Sequence, residues 1–547
     1  MRMNQVGAAA RFSVGKKTLS PPPYAGGGIT PSLVASRSSG AIPLAIHFDA
    51  TGTTSSITGI TDTFRQLYYS FDYGDTGAGT WVVDGASKET DSGGPIGAHV
   101  YELSAGSKTV TLTVTLGVPW ATAHTYRVDD FVTQAGNTYK CLTQHLAGTF
   151  ATDLSTSKWV LHASGLVQGS TTTTVTPQDA DTVFSGTNTV CVDPTGGTTG
   201  GPAGAQYVTS MPTIVSNKRY LVKRGQSIAG FTVPRTVSGV RVGAYGTGIK
   251  PICTSAVAVN DGGTPSTAVW AQDVVVADLN VQGGMSQNSC GRHVMFLRCD
   301  LDQAGAAANN SFGFGSALFY MAGANGGGDP SRVLATTDFY QPKYVFLVDC
   351  YQRGDYSDGS TPLTAFYGSG DHLVFMGNDW RGAAQHTIRI TNTRKGLLQH
   401  NKIEDRAFDN IRLALKLHAS GPDVWMDNLQ TTTRWRSNNI VIRSNIFGAA
   451  DSTGSWTMDT GPQSGGTGYD EGLIDIIIEG NTYVRSPSKN TDIICVGDRI
   501  TTRNNVRADA GVLNISNDQY FVSLSDGKYD TLEAVWGKQC YGQFNVA

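Results

Sequence analysis

Two short stretches in the second half of the chain decide the fold: IVIRSNIF at residues 440–447 and IIIEGNTY at residues 476–483. Each is a β-branched apolar run that reaches an asparagine and then continues into a second, shorter segment. β-Branched residues favour strands, and both runs are too short for a helix. A strand of this kind that recurs along the chain predicts a repeat architecture, in which each unit buries its apolar face against the next.

Six further segments align with these two: VVVADLNV (274–281), VMFLRCDLD (294–302), VFLVDCYQ (345–352), VFMGNDW (374–380), LLQHNKI (397–403) and ITTRNNV (500–506). The alignment places a small or amide residue in one column: Ala277, Cys299, Cys350, Asn378, Asn401, Asn445, Asn481 and Asn504. The steps are 22, 51, 28, 23, 44, 36 and 23 residues, so steps near 22 are single coils and longer steps hold insertions or a second coil. Strands stacked in register predict a parallel β-helix over residues 207–547, with the amides bonding backbone groups at its corners.

The same segment resembles the pectin-lyase-like right-handed β-helix, through the YGTG phrase at residues 245–248 and the asparagine-x-aromatic corners. That superfamily includes polysaccharide lyases, glycoside hydrolases and phage tailspike or fibre proteins. The resemblance implies the fold and does not choose among these functions.

Residues 39–117 alternate apolar and polar positions, as in KTVTLTVT at 108–115, and predict a β-sandwich. This region resembles a PKD domain, an immunoglobulin-like fold, through Phe48-Asp49-Ala50, the FDYGD motif at 71–75 and His99-Val100-Tyr101. The resemblance implies a spacer or an adhesive module without chemistry of its own.

Residues 118–164 resemble a small carbohydrate-binding module related to chitin-binding domains. The similarity rests on Trp120, Tyr126, Gly136, the YKC triplet at 139–141, His145, Phe150, Asp153 and Trp159. Trp120, Tyr139 and Trp159 are the candidate sugar-stacking rings. The alternative is that these rings form the core of so small a module, because aromatic side chains bury much area per residue.

The two remaining segments are predicted to be an arm and a linker without a fold of their own. Residues 1–38 contain a Pro21-Pro22-Pro23 run and three consecutive glycines, and predict an extended arm that docks on a neighbouring protein or remains a tail. Residues 165–206 are rich in threonine and glycine, and predict a linker that leads into the solenoid. The fold class predicted for the whole chain is therefore all-β: an arm, an immunoglobulin-like sandwich, a small β module and a right-handed parallel β-helix.

Composition limits the partners. Lys and Arg number 41 against 44 Asp and Glu, and this balance provides no basic field for nucleic acid. The eight cysteines form no CxxC pair, and no zinc-ligand spacing, phosphate-binding loop or GxSxG motif is present, so we expect no metal and no cofactor. No apolar stretch is long enough for a signal peptide or a membrane span. Surface polysaccharide is the expected partner, and a homo-oligomer fits a fibre protein.

Catalysis in a β-helix would use charged residues that point outward from one sheet. The strand HTIRIT (386–391) places Ile388 and Ile390 inward and Arg389 outward. The strand LALKLHA (413–419) places the leucines inward and Ala414, Lys416 and His418 outward. Lys416, Arg389, His418 and Arg406 are therefore the candidate residues for a lyase, which needs cations for a uronate carboxylate and a base for the adjacent proton. The alternative is that they are ordinary solvated positions.

Three functions compete. The favoured one is a structural protein of a virion surface, tailspike-like or a capsid or tail decoration fibre, held by its arm to other virion proteins and facing host glycan. The second is an extracellular polysaccharide lyase or glycoside hydrolase with accessory modules, for which carboxylates such as Asp371, Asp405, Asp409 and Asp427 would have to converge. The third is a non-catalytic adhesin.

Overall fold

The chain is described here from a computed structural model, in residues 27–259, 271–287, 291–302, 312–313, 343–353, 364–368, 370–381, 386–391, 393–405, 413–418, 437–452, 456–460, 473–489, 491–495, 497–516 and 541–542. These residues are almost wholly β-structure, as the sequence predicts, and form a sandwich, a small module and a solenoid. Among them, no helix is both long and apolar enough to cross a lipid bilayer.

The sandwich consists of two main sheets. Its elements are β1 (Ile29–Thr30), β2 (Val34–Ala35), β3 (Ser39–Ala41), β4 (Leu44–Asp49), β5 (Thr54–Ser55), α1 (Thr63–Gln66), β6 (Leu67–Asp72), β7 (Thr90–Gly93), β8 (Ile96–Tyr101), β9 (Lys108–Leu116) and β16 (Gln168–Gln178). One sheet has the order β2-β4-β8 and the other β3-β16-β9-β6-β7, while β1 pairs with β5. Val110, Leu112 and Val114 of β9 are fully buried between the sheets, which is the predicted alternation.

Two segments that the sequence assigns to an arm and a linker belong instead to this sandwich. Residues 1–26 of the predicted arm lie outside the described residues, but residues 29–30 and 34–35 are strands that pair with β5 and β4. Within the predicted linker, β16 pairs antiparallel with β9 from Gln168 to Val175 and parallel with β3. A threonine-rich strand needs only one buried face, so its composition resembles that of a linker.

The module follows β9 and is a four-stranded sheet with a hairpin-like addition. Its elements are β10 (Val118–Pro119), β11 (Thr125–Tyr126), β12 (Phe131–Gln134), β13 (Asn137–Cys141), β14 (His145–Leu146), α2 (Phe150–Ser155) and β15 (Trp159–Ala163). The sheet order is β10-β12-β13-β15, and β11 pairs with β14. Strand β11 also pairs with a strand of the solenoid at Gly542, so the module extends the end of that sheet.

The solenoid begins with α3 (Ala180–Val183), a short 3-10 helix (Gly186–Asn188), β17 (Thr189–Val192) and β18 (Gln206–Val208). Sheet 1 continues with β19 (Arg219–Lys223), β22 (Ser238–Tyr245), β25 (Gln272–Ala277), β28 (Arg292–Leu297), β31 (Lys343–Val348), β34 (Asp371–Met376), β37 (Leu397–Gln399), β40 (Asn438–Arg443), β43 (Leu473–Glu479), β46 (Gly497–Arg503) and β49 (Tyr541–Gly542).

Sheets 2 and 3 complete each coil. Sheet 2 consists of β20 (Ser227–Ile228), β23 (Ile252–Cys253), β26 (Asn280–Val281), β29 (Asp300–Asp302), β32 (Tyr351–Arg353), β35 (Asp379–Arg381), β38 (Lys402–Glu404), β41 (Ile446–Phe447), β44 (Thr482–Tyr483) and β47 (Val506–Arg507). Sheet 3 consists of β21 (Phe231–Val233), β24 (Val257–Val259), β27 (Met285–Gln287), β30 (Phe312–Gly313), β33 (Thr364–Gly368), β36 (His386–Thr391), β39 (Leu413–His418), β42 (Trp456–Thr460), β45 (Thr491–Cys495) and β48 (Ile515–Ser516). Each coil visits sheets 1, 2 and 3 in turn, which makes ten coils from β19 to β48, all paired in parallel.

Asparagines stack at the corner between sheets 1 and 2, as the sequence predicts. The Oδ1 atom of Asn445 accepts from the backbone N–H of Asn401 at 3.0 Å and from its Nδ2 at 2.8 Å. The Nδ2 atom of Asn445 donates to the oxygen of Leu398 at 3.0 Å and to Oδ1 of Asn481 at 2.9 Å. Every polar atom of this buried amide therefore has a partner, and the same pattern recurs at Asn378 and Asn481.

The predicted column is wrong at its two ends. Strand pairing places Ala277 opposite Leu297, so the residue above Cys299 is Leu279, two positions later. At the other end the ladder residue is Asn505, which accepts from Asn481, and Asn504 occupies the corner before it. Asn504 has a φ of 56°, and the corner residues of earlier coils, including Arg298, Asp349 and His400, also have positive φ. Asparagine tolerates that conformation, so adjacent asparagines conceal the register.

The cysteines of the described residues are buried and free, which confirms the reading of most of them as buried thiols. Cys299 and Cys350 occupy the asparagine column in two earlier coils, and each Sγ atom contacts backbone carbonyl oxygens. They fill the column where no amide is present.

The sandwich packs along the outer face of sheet 1 and does not extend from the solenoid. The apolar contact joins Ile96, Ala98 and Val100 of β8, with Phe64 and Trp81, to a stripe from sheet 1. That stripe consists of Val275, Ala277, Met295, Leu297, Phe346, Val348, Val374, Met376, Leu397, Val441 and Ile477. Because outward-facing sheet residues are usually polar, this apolar stripe marks the covered part of sheet 1.

Polar contacts line both sides of this apolar stripe. On one side, His47 Nε2 donates to the oxygen of Lys395 at 2.9 Å, and Arg37 pairs with Asp273 at 2.5 Å. On the other side, Lys88 pairs with Asp349 at 2.6 Å. Sandwich and solenoid are thus joined along many coils as one body.

Candidate functional site

A row of charged residues occupies the outer face of sheet 3 in three successive coils. Strand pairing places Arg389 of β36 beside Lys416 of β39, and Lys416 beside Asp459 of β42. Neighbouring strands are about 4.8 Å apart, so these side chains share one surface. The inward positions of the same strands, such as Ile388 and Leu415, are fully buried. This arrangement defines the candidate site, which we call the charged row.

Lys416 and Asp459 form an ion pair within the charged row. The Nζ atom of Lys416 contacts Oδ2 of Asp459, and the two side chains are 12% and 14% exposed. Burial raises the pKa of Asp459, and the charge and hydrogen bond of Lys416 offset this only in part. Asp459 was missed by sequence reasoning because 43 residues separate it from Lys416. The alternation of WTMDT around the buried Met458 is the signal that could have found it.

The structure brings together only part of the predicted catalytic set. Arg389 and Lys416 are neighbours, and the backbone of His418 lies in the same strand, opposite Thr391. The side chain of His418 and the whole of Arg406 lie outside the described residues. The predicted outward position of Ala414 is wrong, because its side chain is fully buried in the solenoid core.

The carboxylates considered for hydrolysis do not converge in the part of the chain that the structure describes. Asp371 lies at the start of β34 in sheet 1, where it pairs with Arg394 at 2.8 Å. Asp405 is fully buried against Lys489 at another corner of the solenoid. Asp409 and Asp427 lie outside the described residues. A two-carboxylate hydrolase site therefore has no support in this set of residues.

Three rings form an aromatic patch on the module. Phe150 lies between Trp120 and Tyr139, with ring centroids 5.6 Å and 4.8 Å away in edge-to-face geometry. All three rings are half-buried. A partly exposed ring offers its apolar face to the C–H face of a sugar, so Trp120 and Tyr139 remain candidates and Phe150 joins them.

Trp159 is excluded as a stacking residue. Its side chain is 2% exposed and packs edge-to-face on Tyr126 at 4.9 Å, within the module core. A ring enclosed in this way cannot stack on a ligand. The three predicted rings therefore differ: Trp159 lies in the module core, whereas Trp120 and Tyr139 are partly buried and pack against it.

Buried ionisable groups also collect where the sandwich meets sheet 1. His400 binds Asp84 at 2.6 Å and Asp91 at 3.2 Å, and Asp91 lies 3.4 Å from Arg443. Burial alone would lower the pKa of His400, but the hydrogen bonds to both carboxylates raise it. Burial alone would raise the pKa of Asp91, but the charge of Arg443 and the His400 contact lower it. These groups hold the interface together and are closed to a large ligand.

A small cavity lies where sandwich, module and last coil meet. Its lining includes Arg65, His124, Asp130, Thr501 and Arg503. Burial, together with the charge of Arg503, lowers the pKa of His124 to about 3, so this histidine is neutral at physiological pH. Among the described residues, no group of histidine, cysteine and acidic side chains has the arrangement of a metal site.

No protein-family model matches the chain. No curated protein matches it either. Among solved structures, the chain is similar to a GH136 lacto-N-biosidase from Eubacterium ramulus, with a TM-score of 0.36 and 11% identity over 58% of this chain and 59% of that one. It is also similar to a family 28 exopolygalacturonase from Yersinia enterocolitica, with a TM-score of 0.32 and 9% identity over 90% of this chain and 86% of that one.

The chain therefore spans about three fifths of the lacto-N-biosidase structure. Similarity at these TM-scores assigns neither a substrate nor an activity to this chain. The β-helix rests on the strand pairing of the chain itself.

Proposed function

We propose that this chain is a non-catalytic attachment protein of a virion surface that contacts acidic host glycan through the charged row. The observation that carries the proposal is the placement of Arg389, Lys416 and Asp459 at one outward position in successive coils. A chain of sugars laid along the solenoid axis would meet one such residue about every 4.8 Å. The row contains two cations and one carboxylate, which favours an anionic glycan over a neutral one.

The aromatic patch of the module supports the same proposal. Trp120 and Tyr139 are half-buried and flank Phe150, so part of each ring is accessible to a ligand. The PKD-like and chitin-binding-like resemblances agree with a protein that works near carbohydrate. Sheet 1 is covered by the sandwich, so sheet 3 is the better face for a long ligand.

The attachment role is supported by the side-on packing of the sandwich. An accessory domain attached to an enzyme needs no long apolar contact with the solenoid. In a fibre under mechanical load, such a contact makes the solenoid stiffer. Mass spectrometry of purified virus particles tests the location, and glycan arrays with uronic-acid and neutral oligosaccharides test the ligand. Absence of the chain from the particles would overturn the first part, and binding to neutral glycans alone would overturn the second.

A second candidate function is polysaccharide lyase or hydrolase activity, favoured by the raised pKa of Asp459 beside Lys416. A carboxylic acid of this kind holds a proton at higher pH than usual and can act as a general acid. Incubation with acidic polysaccharides tests it, with unsaturated products followed by ultraviolet absorbance and new reducing ends by a colorimetric assay. Turnover that is lost in Asp459→Asn would replace the attachment proposal.

A further inference from the structure

A lysine and an aspartate form a fully buried pair at a corner of the solenoid. Asp405 directly follows β38, and Lys489 lies between β44 and β45, two coils further along. The Nζ atom of Lys489 contacts Oδ2 of Asp405, and both side chains are 0% exposed. Two charges removed this completely from water are costly unless each is well compensated.

Further hydrogen bonds hold both members of the pair in place. Oδ1 of Asp405 accepts from the backbone N–H of Ala449 at 2.8 Å, so a fixed donor polarises the carbonyl. The Nζ atom of Lys489 also donates to Oγ1 of Thr457 at 2.8 Å, which fixes the direction of the amine. When Cγ becomes tetrahedral, the oxyanion that develops at Oδ1 would receive the Ala449 hydrogen bond.

The backbone of Lys489 is held as firmly as its side chain. Its carbonyl oxygen accepts from Nε and Nη2 of Arg485 at 2.9 Å and 2.6 Å. Gly448, with a φ of 94°, passes so close that a Cβ atom there would lie 3.3 Å from Nζ of Lys489. The pair therefore has little freedom to separate, and fixed proximity accelerates reaction between two groups.

Burial shifts both groups toward their neutral forms. It lowers the pKa of Lys489, an effect that Asp405 offsets only in part, and it raises the pKa of Asp405, an effect that Lys489 offsets only in part. A neutral amine and a neutral carboxylic acid are the forms that combine to an amide. The absence of bulk water at 0% exposure also slows the reverse hydrolysis.

We propose that Lys489 and Asp405 form an intramolecular amide cross-link. The lone pair of Nζ attacks Cγ of Asp405, a C–N bond forms, and the C–O bond to the Oδ2 hydroxyl breaks. One amine hydrogen leaves with that hydroxyl as water, and the other stays on the amide nitrogen. The step balances without an oxidant, a reductant or a nucleotide.

The cross-link would join coils that are not adjacent in the solenoid. Ala449 and Thr457 belong to the coil between those of Asp405 and Lys489, so the bond spans that coil along the axis. Hydrogen-bonded coils separate one after another under axial force, and a covalent bond at the corner would prevent this locally. The inference goes beyond glycan contact and does not depend on it.

Tryptic mapping of the denatured wild-type protein tests the proposal directly. With the amide in place, IEDR (403–406) should remain linked to SPSKNTDIICVGDR (486–499), because trypsin cannot cleave at an acylated lysine. The linked species should weigh one water less than the two peptides together. Fragmentation distinguishes Asp405 from its neighbour Glu404. Intact mass alone does not decide, because the Asp–Gly pairs of the chain also lose water as succinimides.

Recovery of IEDR and SPSK as separate peptides in full yield would overturn the proposal and leave a buried ion pair. Asp405→Ala is the matched variant, in which the linked species should disappear and cleavage after Lys489 should return. The wild-type digest decides the question even if that variant fails to fold. Cleavage after Lys416 provides an internal control, because its ion pair with Asp459 remains partly exposed and should stay uncoupled.

Discussion

Replacing Asn445 with leucine should destabilise the solenoid through the groups that the amide now satisfies. The backbone N–H of Asn401 and the oxygen of Leu398 would each lose a hydrogen bond from this buried side chain. An orphaned buried polar group costs about 1–3 kcal/mol, so the two together cost about 2–6 kcal/mol. The neighbouring amides Asn401 and Asn481 each lose one further bond, which adds to this value.

The assay is urea unfolding followed by circular dichroism, with the midpoint compared at an unchanged slope. Asn438→Leu is the matched control, since it makes the same chemical change at the start of the same strand, outside the ladder. Asn438 is only partly buried, so its effect should be clearly smaller than that of Asn445→Leu. A loss below about 0.5 kcal/mol in Asn445→Leu would refute the structural role of the ladder.

Three further predictions follow from the module, the interface and the N-terminus. Trp159→Ala should cost about 3–5 kcal/mol and unfold the module. Trp120→Ala should cost clearly less, because that ring is only partly buried, and should weaken glycan binding. Calorimetry showing equal losses would contradict this difference in burial. His400 has a raised pKa in the folded protein, so its contribution to stability is full below the unfolded pKa of 6.5 and is lost as pH rises through the folded pKa. His400→Gln should therefore lower the free energy of unfolding more at pH 5 than at pH 8. A loss that does not depend on pH would exclude a charged histidine at this interface. Removal of residues 1–38 should lower the melting temperature, because β1, β2 and the Arg37 ion pair go with it, and an unchanged value would restore the interpretation of this whole segment as an arm.

The repeat could be predicted from the sequence because it is local. Apolar strands followed by asparagines, at steps of one coil or of one coil with an insertion, identify the solenoid. The amides at Asn378, Asn401, Asn445 and Asn481 lie where that pattern places them. The ends of the column fail for a physical reason. In the first coil the column position is occupied by Leu279, which is neither small nor an amide. The alignment therefore selects the small residue Ala277 of the same segment instead.

The packing of the sandwich could not be predicted in the same way. Its contacts join residues that are far apart in the sequence, such as Gly94 and Glu479, whose hydrogen bond is 2.7 Å long. A local sequence pattern cannot predict such a pair. The same holds for the site. Arg389 and Lys416 follow from the alternation of two strands one coil apart, but Asp459 is separated from them by a long insertion.

The most direct test of the central claim is the affinity of the purified chain for a uronic-acid oligosaccharide, measured by calorimetric titration at two salt concentrations. The wild type should bind, and Arg389→Ala and Lys416→Ala should each weaken binding about tenfold, as the loss of a charge-assisted hydrogen bond implies. Lys250→Ala removes the same charge at an ion pair with Asp300 of sheet 2 and should bind like the wild type. Equal affinity in all four proteins, or no binding by the wild type, would contradict a glycan site on the charged row.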